Sequence, residues 1–289
     1  MSPSVPSPST APVSMPMPLP LPMPMPVSTS TPAPARHIVA VTSGKGGVGK
    51  TFVSANLAAA LARAGRRVLV LDADLGLANL DVVLNLYPKI TLHDVFTGKS
   101  TLAEAVLPAP GGFHVLLAGS GMVEYSRMTP EVREQLQKVI ADVAPRFDHV
   151  LLDTGAGISD VVLYTVSLAG DVLVVVTPEP TSLTDAYATI KVLATTQGRR
   201  HVHLLVNQTR KLGEGRAVRQ QLQQVVDRYV NPHIDGAVHL ELLGEVPSDP
   251  AVREAVQRRQ LLLETFPGTA AAMALVTAAG RLLAESERA

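Results

Sequence analysis

Residues 44–51 read Gly-Lys-Gly-Gly-Val-Gly-Lys-Thr, and no other stretch constrains the fold as tightly. Gly44 followed by Gly49, Lys50 and Thr51 has the spacing of a loop whose backbone N–H groups wrap phosphate oxygens. In such a loop a lysine neutralises the phosphate charge and a hydroxyl holds Mg²⁺. It works only between a strand and a helix, because the helix N-terminus supplies the remaining donors. Both flanks are present: residues 38–41 form a short apolar, β-favouring run, and residues 52–64 an alanine- and leucine-rich helical stretch. Gly44, Lys45, Gly46, Gly47, Val48, Gly49, Lys50, Thr51 and Phe52 are therefore assigned to a nucleoside triphosphate. Lys45 is surplus to that pattern, since Lys50 already supplies a cation. A second one is useful where more phosphate charge must be met, as from a facing subunit.

Composition narrows the choice. A chain of 289 residues that is 46% hydrophobic can bury a full core, and one α/β domain over residues 36–289 is the simplest fit. With 25 basic and 25 acidic residues there is no global field to draw nucleic acid or an anionic membrane. Cysteine is absent, which excludes disulfides, thiolate metal sites and iron–sulfur clusters held by cysteine. Residues 1–35 are a different material, with about half of the 23 prolines and no formally charged side chain. Proline at that density prevents helices and central strands, so this arm is expected to be disordered and to sample extended polyproline II conformations. It lacks the basic start and the continuous apolar core of a signal peptide. A cytoplasmic protein is the expectation.

From residue 36 onward, β-branched runs alternate with helical patterns, the mark of a doubly wound, mostly parallel sheet of about seven or eight strands flanked by helices. Strands are expected at 37–42, 67–71, 113–117, 149–152, 172–177, 202–206 and 240–246. Helices are expected at 50–64, 78–85, 130–143, 159–168, 182–196, 215–229, 249–259 and 269–285. Several strand runs do not alternate with polar residues, as expected when both faces are covered.

In such a sheet, ligands sit beyond the carboxyl ends of the strands. Two apolar runs end there in carboxylates: Val68-Leu69-Val70-Leu71 leads into Asp72 and Asp74, and Val150-Leu151-Leu152 into Asp153 and a glycine-rich turn. Mg²⁺ prefers oxygen ligands and retains several waters, so Thr51 and Asp153 are the metal candidates, Thr51 binding directly and Asp153 from behind it. Asp74 is the candidate for orienting an attacking water, with Asp72 beside it in the metal and phosphate network. Gly155 and Gly157 leave the turn after Asp153 free to move as a switch. His201 and His203, two apart in one strand, have a spacing compatible with metal but no third ligand in view, so an exposed or core-edge pair is the expectation.

The loop with its leading lysine, D-A-D-L-G-L-A-N-L-D at residues 72–81 and L-L-D-T-G-A-G-I at residues 151–158 resemble the MinD/ParA group of ATPases, P-loop NTPases with a deviant Walker A motif. The resemblance spans nearly all of residues 36–285. It implies ATP and Mg²⁺ as ligands and a homodimer closed over ATP, with Lys45 reaching the partner's phosphates. It also implies that Asp74 orients water, and that Asn207, Pro247 and Asp249 surround the adenine. Residues 177–187, the turn at Gly119, Ser120 and Gly121, and residues 246–256 look most like the branch that regulates flagellar number, the FlhG/FleN type. That branch implies slow regulatory ATP hydrolysis. It also implies control of flagellar biosynthesis through the GTPase FlhF or a flagellar transcription activator, and weak or transient contact with the inner membrane or the cell pole.

The chain departs from this branch at both ends. The D-Q-A-x-x-L-R segment that many such regulators use to engage the GTPase is missing from residues 1–35. The last helix carries Leu275, Val276, Ala279, Leu282 and Leu283 along one face but only Arg281 as a cation, which favours core packing over membrane binding. Two other readings of the scaffold are a MinD-like division-site selector, which needs a membrane helix, and a ParA-like partitioning ATPase, which needs a basic nucleic-acid patch. Arg199-Arg200, Arg210-Lys211 and Arg258-Arg259 are the candidates for such a patch, although solvated surface pairs are commoner. No nucleic-acid partner is expected.

Overall fold

A computed structural model of the chain describes Met1 and residues 37–76, 78–119 and 128–287. The proline-rich arm and the Ser120–Gly121 half of the Gly119 turn lie outside the described residues. Those from His37 onward belong to one compact unit.

The first half runs β1 (His37–Ser43), α1 (Lys50–Arg63), β2 (Val68–Ala73), three short helices α2 (Leu80–Leu84), α3 (Leu92–Phe96) and α4 (Leu102–Ala105), then β3 (Val106–Pro108) and β4 (His114–Leu116). The second half runs α5 (Pro130–Val143), β5 (His149–Ala156), α6 (Asp160–Ser167), β6 (Asp171–Val176), α7 (Pro180–Thr196), β7 (His201–Thr209), α8 (Glu214–Tyr229), β8 (His239–Pro247), α9 (Pro250–Gln257), α10 (Leu262–Thr265) and α11 (Ala270–Ser286). The eight strands are ordered β3-β4-β2-β5-β1-β6-β7-β8, all parallel except the short β3, which pairs antiparallel with β4. The expected doubly wound sheet is the one observed. The antiparallel edge strand was not foreseen: it has only three residues and ends in a proline, which an edge tolerates.

Burial explains the near-continuous apolar strands. Val39 and Val41 point into a layer with α1, α10 and α11, while Ala40 faces the layer built from α5, α6, α7 and α8. Alternate residues of one strand thus serve two cores. Helix starts follow local chemistry. Thr129 caps α5 by accepting the Val132 N–H at 3.4 Å, with Pro130 in the first turn, and Thr269 caps α11 through the Ala272 N–H at 3.4 Å. Helix α1 differs. Its N-cap is Gly49 in the left-handed region, with no side-chain cap and no acidic residue in the first turn, so its first amides stay available to a ligand.

Three strands run two or more residues past their expected ends. β5 continues through Asp153 to Ala156 because Asp153 and Thr154 pair with Asp72 and Ala73 of β2, and Ala156 with Ser43 of β1. Asp72 likewise lies inside β2, and Asn207 inside β7. Helix α11 packs into the core as expected, but its buried stripe is Ala271, Ala272, Leu275, Ala278, Ala279 and Leu282, and Val276 points outward at 48% exposure. No helix among the described residues is long and apolar enough to cross a membrane.

Leu275 is fully buried, so Leu275→Ala is expected to cost about 2–5 kcal/mol in urea unfolding. Val276→Ser on the outward face is expected to stay within about 0.5 kcal/mol. Equal effects at the two positions would contradict this packing.

Candidate functional site

The carboxyl ends of β1, β2 and β5 meet beside the N-terminus of α1. There they line a cleft of about 720 Å³ whose wall includes Gly46, Gly47, Lys50, Thr51, Asp74 and Gly155. Phe52, Asn79, Thr154, Ser159 and Val256 complete much of the rest. The loop is held closely from behind. Gly44 lies against the start of α7, where a Cβ would fall 2.2 Å from the Asp185 carbonyl, so only glycine fits. Gly49 has φ +95°, and a Cβ there would meet Asn207 Nδ2 at 2.6 Å. That same amide donates to the Val48 carbonyl at 2.8 Å, and its Oδ1 accepts the Gln208 N–H at 2.9 Å. In this structure Asn207 braces the loop from the sheet side and does not line the cleft.

The charged groups form a tight set. Lys50 Nζ donates to Ser43 Oγ at 3.0 Å, and Ser43 Oγ donates to the Lys45 carbonyl at 2.7 Å. Burial lowers the Lys50 pKa, while Asp153 and Asp74 oppose the shift. Asp153 is 2% exposed and accepts from Ser54 Oγ at 2.9 Å and from the Thr51 hydroxyl. Burial pushes its carboxyl up to about 6, against the pull of those hydroxyls and of Lys50, with Asp74 adding to the rise.

Asp72 faces Asp153 in register across the sheet. Burial, then its neighbour Asp153, holds Asp72 well above the ordinary carboxylate range, while the Leu80 and Asp74 amides pull it down. Asp72 accepts those two N–H groups at 3.3 and 3.2 Å, so it fixes the turn carrying Asp74 rather than lining the cleft. Asp74 does line it, and a side chain at Gly155 would sit 3.4 Å from Asp74 Oδ1.

The remaining candidates lie elsewhere. Lys45 Nζ turns away from the cleft and pairs with Glu179 at 3.1 Å and Thr181 Oγ1 at 2.9 Å, at the N-terminus of α7. Pro247 ends β8, and Asp249 caps α9 through the Ala251 N–H at 2.9 Å while reaching the Ala271 N–H at 3.5 Å. Neither is at the cleft wall. Ser43 and Ser54 were not foreseen. Ser54 had a signal, lying one helical turn beyond Thr51 on the same face of α1.

Three of the paired arginines, Arg199, Arg200 and Arg258, have partners within the chain. Arg199 donates to the Val166, Ala169 and Gly170 carbonyls, and Arg200 to those of Ala194 and Asp235, so both fasten helix ends to the sheet. Arg258 pairs with Glu254 and lies over the Phe266 ring.

A doubly wound sheet with this loop, an uncapped helix behind it and carboxylates on the two adjacent strands defines a P-loop NTPase. The family model described as "ParA: NUBPL iron-transfer P-loop NTPase" matches residues 34–283, and the chain belongs to this ParA family. It is 43% identical over 245 residues to the antiactivator FleN of Pseudomonas aeruginosa, covering 85% of each chain. It is 30% identical over 251 residues to the flagellum site-determining protein YlxH of Helicobacter pylori, covering 86% of this chain and 82% of that one. Among solved structures it resembles the septum site-determining protein MinD of Pyrococcus horikoshii complexed with Mg-ADP. The TM-score is 0.70 at 27% identity, over 85% of this chain and 95% of that one. The iron-transfer wording belongs to the family model; this chain has no cysteine with which to bind an iron–sulfur cluster.

The electrostatics of Asp153 give a signed pH effect. Its pKa rises from 3.8 to about 6 on folding, so the folded protein binds this proton more tightly than the unfolded chain. The stability contributed by that proton is present below pH 3.8 and is lost as pH rises to about 6. In urea unfolding without nucleotide, Asp153→Asn is expected to gain on the unaltered protein across that window and to hold a constant advantage above it. A difference independent of pH would contradict the uncompensated buried carboxylate.

Proposed function

We propose that this chain is a slow, Mg²⁺-dependent ATPase that switches between monomer and ATP-bound homodimer and regulates flagellar number and biosynthesis. The observation that carries the flagellar reading is the 43% identity to the antiactivator FleN over 85% of both chains. The switch reading rests on Lys45, a second lysine in the phosphate loop that is turned outward at the surface and half exposed.

In this scheme the amides of residues 46–50 and the Lys50 ammonium hold the phosphates. Thr51, and Asp153 behind it, fit Mg²⁺, because two hydroxyls and a buried carboxylate converge there beside a lysine. The ion would neutralise phosphate charge. Asp74, oriented through Asp72, accepts a proton from water as the water oxygen bonds to the γ-phosphorus and the bond to the ADP oxygen breaks. Asn207, Pro247 and Asp249 are the residues proposed near the adenine.

Turnover is slow because transition-state charge is fully met only when a second subunit delivers its Lys45. The relative's name, antiactivator, points to a flagellar transcription activator as partner; FlhF is the other candidate. The protein is proposed to be cytoplasmic, with any contact with the inner membrane or the pole peripheral and transient.

Lys45→Ala is expected to leave a folded monomer that binds ATP but no longer dimerises with it on gel filtration. Asp74→Ala is expected to dimerise with ATP and lose hydrolysis; normal turnover in that variant would place the water elsewhere. In the organism of origin, deletion is expected to raise the number of flagella per cell seen by electron microscopy, with rescue by the unaltered gene and not by Lys45→Ala. Minicells with an unchanged flagellar count would instead support the division-site alternative suggested by the MinD-like fold.

A further inference from the structure

The His201-x-His203 spacing, left without a third ligand by sequence, acquires partners in the fold. His203 is the third residue of β7, near the end of the sheet opposite the phosphate loop. There Glu241 of β8 and Glu285 of α11 close around it. One ligand atom from each of the three residues lies within 4.8 Å of the other two. His203 Nδ1 is 3.9 Å from a Glu241 oxygen, and Nε2 is 3.4 Å from a Glu285 oxygen. The three border a cleft of about 360 Å³ that is also lined by His37, Asp171 and His201.

Two facts go beyond an acidic cluster. His203 is 8% exposed, and its Nδ1 is buried without a hydrogen-bond partner, as is Glu285 Oε2. Buried polar atoms are rarely left so. Glu241 hydrogen-bonds the Glu285 carboxyl, but nothing close enough satisfies His203 Nδ1. His37 is engaged with the Ser286 carbonyl at 2.8 Å and sits 3.7 Å from Asp171, and His201 packs at a tilt against the His239 ring. As metal ligands, one imidazole and two carboxylates would supply two negative charges, which a divalent cation balances. Metal–ligand bonds of about 2.0–2.2 Å bring donors to roughly 3.4 Å apart, a small closure that the half-exposed Glu241 side chain can make. The imidazole nitrogen selects Zn²⁺ and similar transition metals over Mg²⁺ or Ca²⁺.

We propose that His203, Glu241 and Glu285 form a divalent transition-metal site of the Zn²⁺ class, with water completing the coordination. A metal there would pin the end of α11 to β7 and β8, far from the nucleotide.

The test uses the full chain, free of any histidine tag and stripped of metal, titrated with Zn²⁺ by calorimetry and with Co²⁺ by visible absorption. Expected are saturable uptake of a single ion, a Co²⁺ ligand-field band, and a rise in melting temperature with Zn²⁺. His203→Gln and, independently, the surface variant Glu241→Gln should each lose all three while retaining nucleotide binding. Glu241→Gln keeps the test decisive if the buried substitution unfolds. Absence of stoichiometric uptake would leave His203 an ordinary partner of two glutamates and overturn the site. So would uptake that survives both variants, or that is lost only in Asp153→Asn.

Discussion

The Asp153 carboxylate is the constraint on which the rest of the structure depends. It lies inside the central strand β5, fully enclosed, and is reached by the hydroxyls of Thr51 and Ser54 from the first turn of α1. Those bonds fix the helix against the sheet, and the helix in turn fixes the loop that opens its N-terminus. The arrangement is costly to hold without a cation: burial raises the Asp153 pKa and lowers that of Lys50 beside it. Charges kept under that penalty are organised toward a ligand rather than toward stability. Asp72, alongside Asp153 in register, adds to the repulsion and is tolerable because two backbone amides accept the task of binding it.

Much of this was legible in the chain because the signals are local. The loop, its flanking strand and helix, and the carboxylates after apolar runs each lie within about a dozen residues, and the periodicity that assigns them is local too. The bounds of α5 were read to the residue because Thr129 and Pro130 write the helix start into the sequence. Helix α2 fell inside the expected 78–85, whereas α3, α4 and α10, of four or five residues each, are too short to show a period. The strand ends failed for another reason. A strand stops where its neighbours stop pairing, and β5 runs on to Ala156 because β1 and β2 still offer partners there.

The site was less legible wherever it depends on distant contacts. Nothing near Lys45 in sequence announces Glu179, 134 residues away, and nothing near Val48 announces Asn207, 159 residues away. The histidine pair in β7 shows the same limit from the other side. Its third and fourth partners arrive from β8 and α11, so a spacing that looked incomplete acquires neighbours only when the sheet and the last helix assemble.

The resting contact of Lys45 bears on whether one loop can serve both a monomer and a dimer. Its ammonium pairs with Glu179 where both side chains are substantially exposed, 38% and 59%. An ion pair in that setting is worth about 0–1 kcal/mol, and the hydroxyl of Thr181 adds little more against water. Lys45 is therefore held in place but not locked. In the proposed dimer, a partner's terminal phosphate, carrying more charge, would outcompete one exposed carboxylate. The exchange needs no rearrangement of the sheet, only rotation of a lysine side chain whose backbone is already fixed by Gly44 against α7. A weak resting contact with a strong alternative suits the proposed switch, in which the contact persists without nucleotide and would give way with it. A stronger resting pair would have set the loop against the dimer it is proposed to form.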